Sequence, residues 1–304
     1  MSIPMIIDTD PGVDDAVGLL LAAASPEVKL LGMTTVFGNA DVKLTTTNAR
    51  RLRELAGLGH VPVAAGAARP LVHPRDPRGE SWHGPDGLGG RAYLLPEPTG
   101  PVSSRGAVAL MADLLHASPT AVTLVAIGPL TNVALLLAAH PDVKARISRI
   151  VAMGGRLSGR PAEFNVHSDP EAARRVLVDE DVPTTLVPLD LTLRAAVDRS
   201  WLYELAAAGP RCATLAGVIE HSRALFREST GRDAVALHDS FAVLEAAVPG
   251  TLHVTPMPLE VICDRGPDRG TVARAARGRI VQVASDADLA SISATILSRL
   301  GGLR

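Results

Sequence analysis

The sequence predicts an α/β protein, with a mainly parallel sheet carrying helices on both faces in an open, Rossmann-like arrangement. Apolar runs of strand length recur near residues 4–8, 29–36, 61–65, 122–127, 150–153, 184–189 and 259–262, and most lead into helical patterns. Alternation of this kind puts parallel strands in the middle and helices over both faces. Polar blocks follow several of these runs, at the strand ends where open α/β sheets bind ligands. Apolar residues make up 47% of the chain and charged residues 20%, enough for a large core and contrary to a disordered or coiled-coil chain.

The first run, Met5-Ile6-Ile7, reads as a short buried strand, and Ala16–Ala22 as the helix after it. Pro11-Gly12 makes the turn between them. The segments Asp41–Leu55, Gly106–Leu115, Leu130–Ala139 and Asp169–Val178 supply covering helices, and Ala213–Arg227 a later one. Residues 69–104 are rich in Pro, Gly and charge, including Arg75-Asp76-Pro77-Arg78-Gly79-Glu80, and read as a long functional surface excursion. The polar stretch Asp264–Gly270 reads as a hairpin turn late in the sheet. A length of 304 residues would allow two domains, yet an α/β unit of this size is often one, and residues 1–304 are expected to form a single domain.

The net charge of −2 provides no electrostatic footprint for nucleic acid. Lys29, Lys43 and Lys144 are the only lysines, so the positive charge is nearly all arginine, spread along the chain. Cys212 and Cys263 lie far apart without metal or redox spacing, as expected of buried thiols in a reducing compartment. The first residues lack the basic start and apolar stretch of a secretion signal, and no apolar run reaches the length of about 18 residues that spans a bilayer. The expectation is a cytoplasmic protein without a membrane partner.

The most informative block is Asp8-Thr9-Asp10-Pro11-Gly12-Val13-Asp14-Asp15. A helix N-terminus favours each carboxylate by only about 0.3–1 kcal/mol. Two unit charges 4 Å apart repel by about 4 kcal/mol at an effective dielectric near 20. The dipole alone therefore cannot keep four acids ionised, whereas a hard cation can. Ca²⁺ takes roughly 6–8 oxygen ligands in flexible geometry and accepts mixtures of carboxylates and carbonyls. The plainer reading, that Asp14 or Asp15 caps the helix, explains one acid and leaves three over.

Further blocks recur downstream: Thr34–Asn39, His83–Gly89, Val125–Asn132, Met153-Gly154-Gly155, Ala162–Asn165 leading to Asp169–Ala173, and His238-Asp239. In order and spacing, from the N-terminus to about residue 245, the chain resembles the inosine-uridine-preferring nucleoside hydrolase family. That resemblance implies the open nucleoside hydrolase architecture and calcium-dependent hydrolysis of the N-glycosidic bond of ribonucleosides, giving ribose and free base. It also implies a homodimer or homotetramer.

By resemblance Asp10 is the general base and a metal ligand, Asp15 and Asp239 are the other carboxylate ligands, and Ile127 contributes its main-chain carbonyl. The family often has Thr where Ile127 stands, but a carbonyl ligand does not depend on the side chain. Asp14, Asn39, Glu163 and Asn165 match ribose-binding positions, Met153 matches a sugar contact, and His83 a residue near base and ribose. His238 matches the acid that protonates the leaving base, a role suited to an imidazole. Ser240 stands where the family usually has Pro, a departure bearing on the helix start.

Each residue also has a plainer reading when taken alone. Asn39 after Gly38 suits a turn, Glu163 and Asn165 suit a loop, His83 suits support of its Gly-rich loop, and His238 suits a cap or core position. Aromatic residues are only 3% of the chain, which leaves Trp82 and Phe226 as candidates to stack on a base, with core packing the alternative for Phe226. Two other classes compete: a non-catalytic, calcium-dependent nucleoside binder on the same scaffold, and a haloacid dehalogenase-type phosphohydrolase. The first needs neither Asp10 nor His238. The second wants Thr or Val at position 12 and a late lysine, whereas this chain has Gly12 and no lysine after Lys144.

Overall fold

The computed structural model describes residues 2–75 and 82–303. The segment 76–81, within the expected surface excursion, lies outside the described residues.

Eleven strands are present among the described residues: β1 (Ile3–Thr9), β2 (Val28–Thr35), β3 (Val63–Ala65), β4 (Val122–Ala126), β5 (Ile147–Met153), β6 (Thr184–Val187), β7 (Ala196–Asp198), β8 (Ala234–Ala236), β9 (His253–Val261), β10 (Val272–Arg274) and β11 (Ile280–Asp286). Nine form one sheet in the order β10-β9-β11-β6-β5-β4-β1-β2-β3, while β7 and β8 pair as a separate antiparallel ribbon. From β3 to β11 every neighbouring pair is parallel, and β9 and β10 close that edge antiparallel. The expected hairpin across Asp264–Gly270 is thus the β9–β10 connection.

The parallel strands are apolar on both faces, with side chains dividing at period two. In β1, Met5 and Ile7 enter one core and Ile6 the other; in β5, Val151 and Met153 oppose Ile150 and Ala152. The first core is closed by the helices Val13–Ala24, Pro210–Thr230, His238–Ala247 and Leu289–Leu300, the second by Ala107–Ala117 and Thr131–Ala139.

Several boundaries depart from the sequence reading for local reasons. The segment 184–189 ends as a strand at Val187, because Pro188 starts the short helix Leu189–Thr192. The Asp169–Val178 helix is two pieces, Pro170–Arg174 and a π-helical turn Arg175–Asp179, with Asp169 capping the first through the Ala172 amide at 3.1 Å. Strand β11 and the helix Leu289–Leu300 were not anticipated. Cys212 is a buried free thiol as expected, but Cys263 is only half-buried.

The order β3-β2-β1-β4-β5-β6 reverses direction between β1 and β4. Ligands of open α/β sheets lie in the crevice at the carboxyl ends of such a pair. Asp8 aligns with Ala126 across the two strands, and the Ile127 amide donates to the Asp8 carbonyl at 2.9 Å. The turn after β1 and the turn after β4 are therefore adjacent, which brings Asp10 beside Ile127 and Gly128.

Candidate active site

Three carboxylates converge above that crevice. Asp14, Asp15 and Asp239 each offer an oxygen, and the three oxygens lie within 4.8 Å of one another. Asp14 and Asp15 occupy the first turn of the helix Val13–Ala24, and Asp239 the first turn of His238–Ala247. Gly18 lets the two helices approach: a Cβ there would already touch Asp239 Cβ and Val243 Cγ2 at 3.4 Å.

Asp15 is held rigidly. One oxygen accepts from Thr9 Oγ1 at 2.5 Å and from the Asp10 amide at 3.3 Å; the other accepts from the Gly12 amide at 2.9 Å and Asn39 Nδ2 at 3.0 Å. The capping reading is thus partly right, since the Gly12 amide is a helix-terminal donor, but capping occupies one of four contacts. Burial and the neighbouring Asp14 charge raise the Asp15 pKa to about 7.

Asp10 is fully buried. Its Oδ2 accepts from the Asn39 amide at 2.8 Å, while Oδ1 has no hydrogen-bond partner. Gly38 and Gly128 pack directly on the carboxylate, and a Cβ on Gly128 would stand 2.6 Å from Oδ1. Burial, then the charge of Asp15, pushes the Asp10 carboxyl well above the usual range. Asp239 is raised well above that range too, by burial and then by the charges of Asp14, Asp15 and Asp10.

An orphaned buried oxygen on Asp10 beside three converging carboxylates is a site that fits a divalent cation. Without one, buried acids of this kind stay protonated or repel each other. The donor set is all oxygen, the chemistry of a hard ion such as Ca²⁺ or Mg²⁺.

A second network forms the next wall. Asn165 Nδ2 donates to the Ile127 carbonyl at 3.0 Å and the Met153 carbonyl at 3.2 Å, joining the ends of β4 and β5. Glu163 caps the helix Phe164–Ser168, with Oε1 on the Asn165 amide at 2.7 Å and Oε2 on the Gly155 and Val166 amides at 2.7 and 3.0 Å. Its three backbone donors show that Glu163 is more than a loop polar, and burial raises its pKa.

The two histidines face the same space. His83 Nδ1 accepts the Val13 amide at 3.1 Å, which leaves the ring's other nitrogen as its N–H in the neutral form. His238 Nδ1 lies 2.7 Å from Thr192 Oγ1. Burial lowers both imidazole pKa values, and the Asp14 charge opposes it. The helix begins at His238 with Ser240 in its first turn, so the departure from Pro leaves the helix start in place.

These groups line a cavity of about 340 Å³. Of the residues singled out in the sequence, Asp14, Asn39, Trp82, His83, Ile127, Met153, Glu163, Asn165, Phe226, His238 and Asp239 reach it, while Asp10 and Asp15 lie buried beneath. Trp82 is 50% exposed at the rim, and Phe226, 9% exposed, also packs on Ala234 and Ala236. Both readings of Phe226 therefore hold. Sequence reasoning missed Leu189, Leu193, Ile219, Ser222, Ser229, Thr230 and Val235 in the lining. A signal existed for part of it: Ser222, Phe226 and Thr230 recur every fourth residue on one helix face.

At this switch point the first turn carries acids where a dinucleotide-binding protein carries phosphate-cradling glycines. The class that fold and site define is an open α/β protein with a cation-suited carboxylate cluster at its switch point and a cavity that suits a ligand with a polar and an apolar part. Comparison with known proteins narrows that class. The profile of the inosine-uridine preferring nucleoside hydrolase family matches residues 5–294, and the chain belongs to that family. It is 41% identical over 246 residues to the pyrimidine-specific ribonucleoside hydrolase RihA of Klebsiella pneumoniae subsp. pneumoniae, covering 79% of this chain and 78% of that protein. Among solved structures, the purine-preferring ribonucleoside hydrolase from Gardnerella vaginalis superposes with a TM-score of 0.92 at 26% identity, over 99% of this chain and 98% of the other. The plant nucleoside hydrolase PpNRh1 gives 0.91 at 26% identity, over 99% of both chains. The protein is a ribonucleoside hydrolase, and its substrate is a nucleoside. No helix among the described residues is long and apolar enough to cross a membrane.

Proposed function

We propose that the chain hydrolyses ribonucleosides with Ca²⁺ as its ion, held by Asp10, Asp15, Asp239 and the Ile127 carbonyl. The observation that carries this reading is the unpartnered Oδ1 of Asp10 beside the converging carboxylates. A bound divalent cation would compensate the acids, lower the pKa of water and anchor sugar hydroxyls.

The chain's own residues do the rest. Asp10 takes a proton from the attacking water as its oxygen forms a bond to the anomeric carbon, general-base assistance worth about 10²–10⁴-fold. Asp14, Asn39, Glu163 and Asn165, with Met153, orient the ribose, and its buried wall keeps out competing water. The electron pair of the breaking C–N bond passes to the base, where Nε2 of His238 supplies a proton. His83 stands between base and sugar, and Trp82 and Phe226 flank the base.

A purely binding protein would need neither an acid nor a base, whereas here His238 lines the cavity and Asp10 lies buried beneath its floor. We take the chain to be one domain, supported by a sheet that gathers strands from Ile3 to Asp286. The two free thiols suit a reducing, cytoplasmic compartment. Exposed Val72, Tyr93 and Tyr203 suit a homodimer or homotetramer, which light scattering reads directly.

The named relatives differ in base preference, so the decisive experiment is a reducing-sugar assay over purine and pyrimidine ribonucleosides, with Ca²⁺ or with chelator. Release of ribose with Ca²⁺ and its loss in chelator support the reading. Full activity in excess chelator overturns the metal assignment, and absence of turnover on the whole panel overturns the hydrolase.

A further inference from the structure

The hydroxyl of Thr192 lies 2.7 Å from His238 Nδ1 and 3.4 Å from the Leu189 carbonyl. Thr192 is fully buried at the end of the short helix after β6, whereas His238 opens the helix after β8. Two loops distant in sequence are therefore joined through one side-chain contact inside the cavity wall. Among the described residues, Nε2 of His238 has no protein partner.

We infer that Thr192 is a positioning residue for His238, holding Nδ1 in the wall so that Nε2 is presented to the leaving base. This rests on the reading of His238 as the acid. A hydroxyl suits the task because it both donates and accepts. When Nδ1 is bare the hydroxyl donates to it. When Nδ1 carries a proton the hydroxyl accepts and turns its own hydrogen to Leu189. The ring keeps one orientation through proton transfer, in which the imidazolium, protonated on both nitrogens, loses its Nε2–H and an N–H bond forms on the base. The base gains the electron pair of the glycosidic bond, and the imidazole is left neutral with its remaining proton on Nδ1, against Thr192.

Local cause supports the assignment. Thr192 caps no strand and serves no sheet bond; its hydroxyl would otherwise have only the long contact to Leu189, and a buried hydroxyl left without a good partner is costly. Valine has the same shape and would fill the site if packing alone mattered.

The test compares Thr192→Val, Thr192→Ser and His238→Ala on two substrates, a natural nucleoside and 4-nitrophenyl riboside, whose leaving group needs no proton. Thr192→Val should lower kcat on the nucleoside by about tenfold or more, with KM little changed. It should leave 4-nitrophenyl riboside within about twofold, and Thr192→Ser should restore nucleoside turnover. Thr192→Ala carries the same comparison should the valine variant fail to fold. Equal losses on both substrates, no loss, or failure of serine to rescue overturns the inference, provided His238→Ala shows the substrate split. If His238→Ala itself lacks the split, the acid reading is what has failed, and the inference falls with it.

Discussion

A methyl group on Gly128 would stand 2.6 Å from Oδ1 of Asp10, so the turn after β4 is itself a wall of the carboxylate. No real side chain tolerates that contact, and the buried acid has nowhere to retreat because Gly38 presses on its other oxygen. Gly128→Ala should therefore displace Asp10 while keeping the fold. Misplacing a catalytic group by about 1 Å costs on the order of 10²-fold, and kcat should fall by at least that much with an unchanged circular dichroism spectrum. Asp10→Ala should lose several orders of magnitude. Normal turnover in Gly128→Ala would show that Asp10 need not stay where it is.

His238→Ala removes the proposed proton donor and nothing from the carboxylate floor. Loss of a general acid costs about 10²–10⁴-fold where the leaving group needs protonation. Turnover of inosine or uridine should fall in that range, and 4-nitrophenyl riboside should be spared. Steady-state kinetics on the two substrates checks this; equal losses would take His238 out of the acid's role.

Trp82 and Phe226 line one cavity in different settings, and their removal should differ accordingly. Trp82 sits half-exposed at the rim, so Trp82→Ala should raise KM by about tenfold with kcat nearly unchanged, as stacking on a base is worth about 1–3 kcal/mol. Phe226 also packs on Ala234 and Ala236, and Phe226→Ala should lower stability by about 3–5 kcal/mol besides weakening binding. Urea denaturation and KM measurements separate the two. A Phe226→Ala protein as stable as the parent would place that ring in binding alone.

What was legible in the sequence followed from local pattern. Strands buried on both faces read as plain apolar runs, and the residues at their ends, Asp10, Ile127 and Met153, could be placed in one crevice from the alternation of strands and helices. Asp239 was reachable only through resemblance, because its approach to Asp14 and Asp15 depends on helix packing across Gly18. Thr192 was invisible: a threonine inside an apolar stretch carries no mark of the histidine that another loop brings to it. The resemblance matches Asp14 to a ribose position rather than a metal ligand, yet its carboxylate converges with Asp15 and Asp239, a distance no spacing rule supplies. The π-helical turn Arg175–Asp179 escaped because its sequence satisfies an ordinary helical period. Strand β11 alternates buried and exposed residues over a short span, a weaker signal than the runs in the middle of the sheet.

The carboxylate floor also links the proposed calcium ion to pH. In the metal-free fold Asp15 holds its proton to about pH 7, against an ordinary value of 3.8, and Asp8, buried beneath, behaves alike at about 7. Between those values the folded protein binds more protons than the unfolded chain, so their contribution to stability is complete below the lower value and is lost as pH rises through the upper one. The proposed calcium ion would compete with the proton on Asp15 and prefer the ionised acid, so its stabilisation would run the opposite way. Added Ca²⁺ should raise the melting temperature little at pH 5.5 and much more at pH 8, with activity following the same rise. Differential scanning fluorimetry across pH, with Ca²⁺ or with chelator, reads both curves. A calcium shift that is equal at the two pH values would mean that the ion does not replace protons on these carboxylates.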